Sequence, residues 1–394
     1  MKKNCILISI VFISLSANAQ WSQTDTPFSN FTVSSLAPNG ANIFAGTHGG
    51  GVFLSTNDGD SLFAVNTGLT NLTVHSLTMK GTNVFAGTVG GVFLSTNNGN
   101  SWSPVNTGLT NLSVLSLTVN GSNIYAGTDG GGVFLSTNNG SSWFPVNTGL
   151  ANLRVFSLIT NGSNIFAGTS GGVFLSTNNG SSWFAVNNGL TNLHVTVLSS
   201  NGINIYVGTS DGLFLSTNNG NSWSAINNGL TNIIVFSLIT DGAKIFAGTN
   251  GGGIFLSTNN GNSWSPVNTG LTSLTVYSLV ATGTNVFAGT GAGSGHVWIR
   301  TLTQVTGIEE TRDNVNFGLY PNPTTDEVTI QIQDYTGQED ISVSVHDIAG
   351  KLLLAQNVQS EKNVFSLKDF PNGIYLLKVK NKQIETSRKL VLIK

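Results

Sequence analysis

Residues 112–150 read LSVLSLTVNGSNIYAGTDGGGVFLSTNNGSSWFPVNTGL, and this stretch decides the fold. Its β-branched and aromatic residues predict four short strands, at Val114–Leu117, Asn123–Thr128, Val133–Thr137 and Trp143–Val146. Between them lie Asn120-Gly121, the glycines Gly130 to Gly132, and Asn138-Asn139-Gly140, with Thr148-Gly149 after the last. Asn-Gly and Asn-Asn-Gly are hairpin chemistry, because Gly and Asn reach the positive φ of a tight turn at low cost.

Working outward, Ala-Gly-Thr recurs at Ala45, Ala86, Ala126, Ala167, Ala247 and Ala288, with Val207 in place of Ala in one further copy. The steps are 41, 40, 41, 40, 40 and 41 residues, which makes seven units. Four antiparallel strands per unit of this length is the size of a propeller blade. The run Trp21-Ser22-Gln23 to Leu36 aligns without a gap on Trp102-Ser103-Pro104 to Leu117, so the repeat region begins at a fourth strand. The last unit leaves the pattern after Val297–Thr301, before any fourth strand. Trp21 to Pro27 would supply the missing strand and remove the exposed sheet edges. The expected fold is all-β: a seven-bladed β-propeller closed by its N-terminal strand, followed by a small Ig-like antiparallel β-sandwich.

Lys2 and Lys3 followed by the apolar run Ile6 to Leu15 read as an export signal ending at Ala17-Asn18-Ala19. Cys5, the only cysteine, lies inside it, so the mature chain is expected to hold no disulfide and no thiolate. From Trp21 to Leu302 the basic residues are Lys80, Arg154, Lys244 and Arg300, the acids are six aspartates, and glutamate is absent. Such a surface has no footprint for nucleic acid or anionic lipid. The charge density rises after residue 302, which places the expected boundaries at 1–19 for the signal, 20–302 for the propeller, 303–316 for a linker and 317–394 for a C-terminal domain. No stretch of the mature chain reads as a transmembrane helix.

Ser95-Thr96-Asn97-Asn98-Gly99-Asn100-Ser101-Trp102 recurs from Ser136, Ser176, Ser216 and Ser257, with a variant from Ser55 that ends in Leu62. It resembles the Asp-box of sialidase-like and sortilin-like propellers, with Asn where Asp is usual. That resemblance implies a structural hairpin cap on the face away from any binding site, with Gly in the left-handed conformation and the indole packed beneath. Leu109 to Thr128 also resembles propeller repeats in the sensors of bacterial hybrid two-component regulators. At the other end, Leu319-Tyr320-Pro321-Asn322-Pro323, then Asp347-Ile348-Ala349-Gly350-Lys351, then Pro371-Asn372-Gly373-Ile374-Tyr375, and finally Lys389 to Lys394 resemble the type A sorting domain of the type IX secretion system. The resemblance implies the secretion machinery as a partner, passage across the outer membrane, and a signal carried by Tyr320, Pro321, Asn322, Pro323, Gly350, Lys351, Gly373, Tyr375, Lys389 and Lys394.

Chemistry is sparse. A sialidase mechanism needs an arginine cluster and a glutamate, which the repeat region lacks. A glycosidase or lyase needs carboxyl groups placed together; only Asp129 and Asp211, two blades apart, could share a face. The histidines His48, His75, His194 and His296 lack ligand spacing, and no metal or cofactor is expected. Comparison among the copies is more informative. Ahead of the first strand the equivalent residues are Thr32, Thr73, Ser113, Arg154, His194, Ile234 and Thr275; two further on they are Ser34, His75, Leu115, Phe156, Thr196, Phe236 and Tyr277. These variable positions point to a non-catalytic surface or secreted propeller that binds a carbohydrate or protein through Arg154, Phe156, His194, Phe236 and Tyr277, with Asp129 and Asp211 nearby. The alternative is a polysaccharide-acting enzyme using those two aspartates.

Overall fold

A computed structural model of the protein describes residues 20–25, 31–291, 296–302, 317–332, 341–347, 350–358, 360–380 and 385–394. The expected signal (1–19) and linker (303–316) lie outside the described residues. The chain divides into two compact units, Met1–Leu302 and Thr303–Lys394. Every regular element among the described residues is a strand.

The first unit is a series of four-stranded antiparallel sheets. One of them runs Val114–Asn120, Asn123–Thr128, Val133–Ser136, Phe144–Pro145, each strand beside its chain neighbour. Five more repeat that order from first strands at Thr32–Asn39, Val74–Lys80, Val155–Asn161, Val195–Asn201 and Val235–Asp241. A seventh is spliced: Val276–Thr282, Asn285–Thr290 and Val297–Thr301 are joined by Ser22–Gln23, with Ser22 opposite Ile299 and Gln23 opposite Trp298. The first strand runs three residues longer than its sequence suggests, because Thr118, Val119 and Asn120 still pair up to the turn. The fourth is shorter, two residues, since Trp143 turns out of the ladder and inward.

Each second strand is buried on both faces: Ile124, Tyr125 and Ala126 are fully enclosed. Such a strand must have a neighbour on each side, and the neighbour comes close. A Cβ on Gly127 would sit 2.7 Å from Val155 Cγ1 of the next sheet, so only glycine admits that approach. The first strands pack in chain order, and the last, Val276–Thr282, packs on Thr32–Asn39. Serines tie them laterally: Leu77, Leu117 and Leu158 donate backbone N–H groups to Ser35, Ser76 and Ser116, and Ser278 Oγ donates to Val33 O at 2.9 Å.

The far ends of the sheets are closed by side chains. The buried Ser136 hydroxyl donates to Asn138 Oδ1 (3.0 Å) and accepts from Gly140 N (2.8 Å), while Asn138 Oδ1 accepts from Ser142 N (2.9 Å). Two residues here are left-handed, Asn139 (φ 57°) and Gly140 (φ 83°); Asn tolerates that region because its short polar side chain bonds locally. The next residue but two, Trp143, donates from Nε1 to Val105 O of the preceding sheet at 2.7 Å. The same bond recurs from Trp102, Trp183, Trp223 and Trp264, and Trp21 makes it to Val267 O at 2.6 Å.

In the second unit, Phe317–Tyr320, Glu327–Ile332 and Lys362–Ser366 form one sheet, and Leu352–Asn357, Ser342–His346, Gly373–Lys380 and Glu385–Leu392 form another, in those spatial orders. Alternate residues Val328, Ile330, Val343, Val345, Leu377 and Leu390 fill the shared core.

Gly127→Ala is expected to destabilise the repeat unit by about 1–3 kcal/mol through overpacking against Val155. A lower urea midpoint at unchanged slope checks it; an unchanged midpoint would mean the sheets part without strain.

Candidate functional site

The first strand of each sheet starts beside the end of the second, so the segments leading into first strands and the turns after second strands open on one face. The hairpin caps lie at the other end. Backbone bonds knit the open face from sheet to sheet: Gly130 and Gly132 donate to Leu153 O of the next sheet; within one sheet, Asn111 Nδ2 donates to Asp129 O at 3.1 Å.

Every first strand carries a β-bulge at the same place. Register jumps from Val155 to Ser157, and likewise from Val33, Val74, Val114, Val195, Val235 and Val276 to the residue two on. The extra residues are therefore Ser34, His75, Leu115, Phe156, Thr196, Phe236 and Tyr277, the variable set of the sequence. A bulge re-aims one side chain without altering the ladder beyond it, which frees this position from the packing that holds its neighbours constant. The sequence carried the signal: buried Val155 and Leu158 are three apart, not two, which breaks strand alternation.

Three groups form across adjacent sheets. In the first, Arg154 Nε lies 2.7 Å from Asp129 Oδ1, its guanidinium carbon is 5.1 Å from the Phe156 ring centre, Phe156 meets the His194 ring at 5.1 Å, and His194 Nδ1 and Ser210 Oγ are 2.9 Å apart. In the second, Phe236 and Tyr277 stack at 5.1 Å with planes 6° apart. In the third, His48 and His75 approach to 5.5 Å, although their spacing in sequence gave no hint of it. Burial, and then the charge of His48, hold the His75 imidazole below its ordinary range; Asp129 pulls the other way. Thus Arg154, Phe156, His194 and Asp129 come together, Phe236 and Tyr277 form a separate pair, and Asp211 is an exposed turn residue whose N–H donates to Thr209 Oγ1. Among the described residues no three His, Cys, Asp or Glu side chains gather as metal ligands.

A feature that comparison of the copies missed surrounds these groups. Leu72, Leu112, Leu153, Leu193, Ile233 and Leu274 occupy one equivalent position on the open face and are each 38–43 % exposed. Being apolar in every copy, they read as core; the carbonyls of Leu72, Leu153 and Leu274 accept from glycines of the preceding sheet, whereas all six side chains face water. Their repetition on one face, one per sheet, makes that face a candidate contact surface.

The sorting residues of the second unit are also placed. Tyr320, Pro321, Asn322 and Pro323 lead from one strand of the first sheet toward the next; Gly350 and Lys351 form a turn in which Lys351 N donates to Asp347 Oδ1 (2.9 Å). Gly373 and Tyr375 open the strand beside the terminal one, where the Tyr375 hydroxyl donates to Pro371 O (2.6 Å), and Lys389 and Lys394 bracket the chain end.

With this geometry the molecule is an all-β repeat protein of propeller-like sheets carrying a compact two-sheet tail. Residues 318–394 match the secretion system C-terminal sorting domain, and a tail of this kind implies handling by the type IX system and export to the cell surface or beyond. No curated protein sequence matches the chain. Among solved structures it is similar to an extracellular domain assigned to a hybrid two-component system of B. thetaiotaomicron, at 18% identity and TM-score 0.62, covering 92% of this chain and 56% of that one. It is similar too to PorZ, described as an essential surface component of the type IX secretion system of Porphyromonas gingivalis, at 16% and 0.55, covering 91% and 59%. YCF48 from Cyanidioschyzon merolae matches at 15% and 0.58, covering 72% and 99%. The chain spans little more than half the length of the first two, and at these identities the likeness is one of fold.

Asp129→Asn is expected to lower the His75 pKa further, since the raising charge is removed. A His held below its unfolded value binds fewer protons folded than unfolded, so its stabilising contribution is present above about pH 6.5 and is lost as pH falls through that range. NMR titration of His75 checks the direction, and an upward shift would contradict it. With both partners exposed, loss of the Asp129–Arg154 pair should itself cost under about 1 kcal/mol at pH 7.5, read from the urea midpoint.

Proposed function

We propose that the first unit is a closed, seven-bladed propeller with Asp-box-like caps, and that it works outside the cell as a non-catalytic module gripping a protein ligand through its open face. Closure is supported by the contact of the last first-strand with Thr32–Asn39 and by Trp21, which bonds Val267 O as the other indoles bond their preceding sheets. The proposed layout is a leader at 1–19, the propeller at 20–302, a linker at 303–316 and an Ig-like sorting domain at 317–394.

The apolar crown carries the choice of ligand. Sugars dock on free aromatic faces beside open hydrogen-bonding groups. Here Phe236 and Tyr277 cover one another, Phe156 is contacted by Arg154 and His194, and Asp129 engages Arg154. What the face offers instead is six aliphatic side chains around a polar centre, the composition of a protein-binding patch with the charge pair and histidines setting register. Glycoside hydrolysis is the weaker reading, because the Asp129 carboxylate is engaged and Asp211 lies two sheets away.

Binding to panels of extracellular proteins and of polysaccharides, with Leu153→Asp and Leu193→Asp alongside, tests this. Saturable protein binding weakened at least about tenfold by either change is expected, the loss typical of a buried apolar anchor. Saturable glycan binding indifferent to both would replace the protein ligand with a sugar, and polysaccharide turnover abolished by Asp129→Asn would establish an enzyme. For closure, Trp21→Phe should cost the same as Trp143→Phe, about 1–3 kcal/mol for a buried carbonyl left without its donor; a Trp21 change without effect on the denaturation midpoint would leave the ring open.

A further inference from the structure

The terminal strand Glu385–Leu392 lies at the edge of its sheet, paired along its length with Gly373–Lys380. Segments distant in sequence close around its end. Asn322 Nδ2 donates to Lys389 O at 2.7 Å, and Asn322 Oδ1 accepts from Val391 N at 2.8 Å. In a strand the carbonyl of one residue and the N–H two further on face the same side, so a single carboxamide reproduces one rung of backbone pairing. Thr324 adds the next rung with its own backbone, donating to Val391 O and accepting from Ile393 N, both at 2.9 Å. Pro321 and Pro323 flank Asn322 and have no N–H to give; the asparagine side chain supplies the donor that the backbone there lacks. On the opposite edge Asn372 Oδ1 accepts from Lys394 N at 2.8 Å, one rung beyond the ladder, and Lys394 Nζ donates to Lys368 O.

We infer that Asn322 and Asn372 are positioning residues of the export signal: they fasten the strand end Lys389–Lys394 to the domain, so that the secretion machinery meets a folded edge assembled from three segments, not a linear hexapeptide. The latch explains why asparagine sits between two prolines, and it couples Pro321-Asn322-Pro323 and Pro371-Asn372-Gly373 to the chain end they are far from in sequence. Ile374 and Ile393, near this strand end, are both exposed.

The test uses the full chain in a bacterium with a working type IX system, carrying Asn322→Ala, Asn372→Ala or, as a control on the far edge strand, Asn357→Ala. Export is read from the surface and medium fractions, and amide hydrogen exchange on the purified chain reads the fold. The latch variants leave the terminal hexapeptide unchanged, so a linear signal would export normally. Expected are exchange at Val391 and Lys394 faster by about tenfold, the scale of one lost hydrogen bond, unchanged protection of Val343, Val345 and Leu377, and export reduced to a small fraction, with Asn357→Ala normal. Normal export despite a loosened strand end overturns the inference, as does unchanged exchange at Val391 and Lys394. Should an alanine variant lose core protection, Asn322→Asp decides by the same criteria: it keeps the acceptor for Val391 N and sets an oxygen against Lys389 O, at nearly the same volume.

Discussion

The repeat unit depends on one close approach, that of each first strand to the second strand of the sheet before it. A second strand such as Asn123–Thr128 is buried on both faces, and a single four-stranded sheet has nothing with which to cover them. The glycine of Ala-Gly-Thr lets valine of the next sheet come within contact, as at Gly127 and Val155. The same contact recurs at Gly289 and Val33, where the last unit meets the first. Serine bridges between first strands and indole bonds between outer edges then fix what the apolar contact brings together. Stability in such an array is a sum of neighbour terms, so each sheet supports two others.

That scaffold leaves two places where side chains are released from packing. One is the bulge, at which Ser, His, Leu, Phe, Thr and Tyr all occur because the extra residue of the strand need not fit a neighbour's ridge. The other is the aliphatic crown, where at Leu72, Leu153 and Leu274 the carbonyl bonds the turn of the preceding sheet while the side chain projects outward. The two sets lie on one face, apolar groups around polar and aromatic pairs. Sameness among copies is thus not equivalent to burial: Leu153 is apolar like its counterparts yet 41 % exposed, while its carbonyl accepts from Gly130 and Gly132.

The tail solves a different problem. Its core alternates cleanly, and Asn322, Thr324 and Asn372 all converge on the last strand. A chain end is the part of a domain most prone to fray, and here two distant segments bind it.

Sequence alone determined the strand-rich repeat, its length, the seven copies, the splice offset of Trp21 and the signatures of the sorting tail. Those features are local: turn residues, alternation and spacing are set by each residue's own backbone preferences and by its nearest neighbours in the chain. The variable residues Arg154, Phe156, His194, Phe236 and Tyr277 could likewise be picked out by comparing copies. Tertiary structure decided which of them meet, pairing Arg154 with Asp129 and Phe156 with His194 while leaving Asp211 apart, and it brought His48 to His75. It also decided that the six aliphatic residues face water and that an asparagine between prolines stands in for a strand. Each of these is a relation between segments some tens of residues apart, governed by how closely sheets pack and which backbone groups remain to be satisfied, and no preference of a single stretch encodes it.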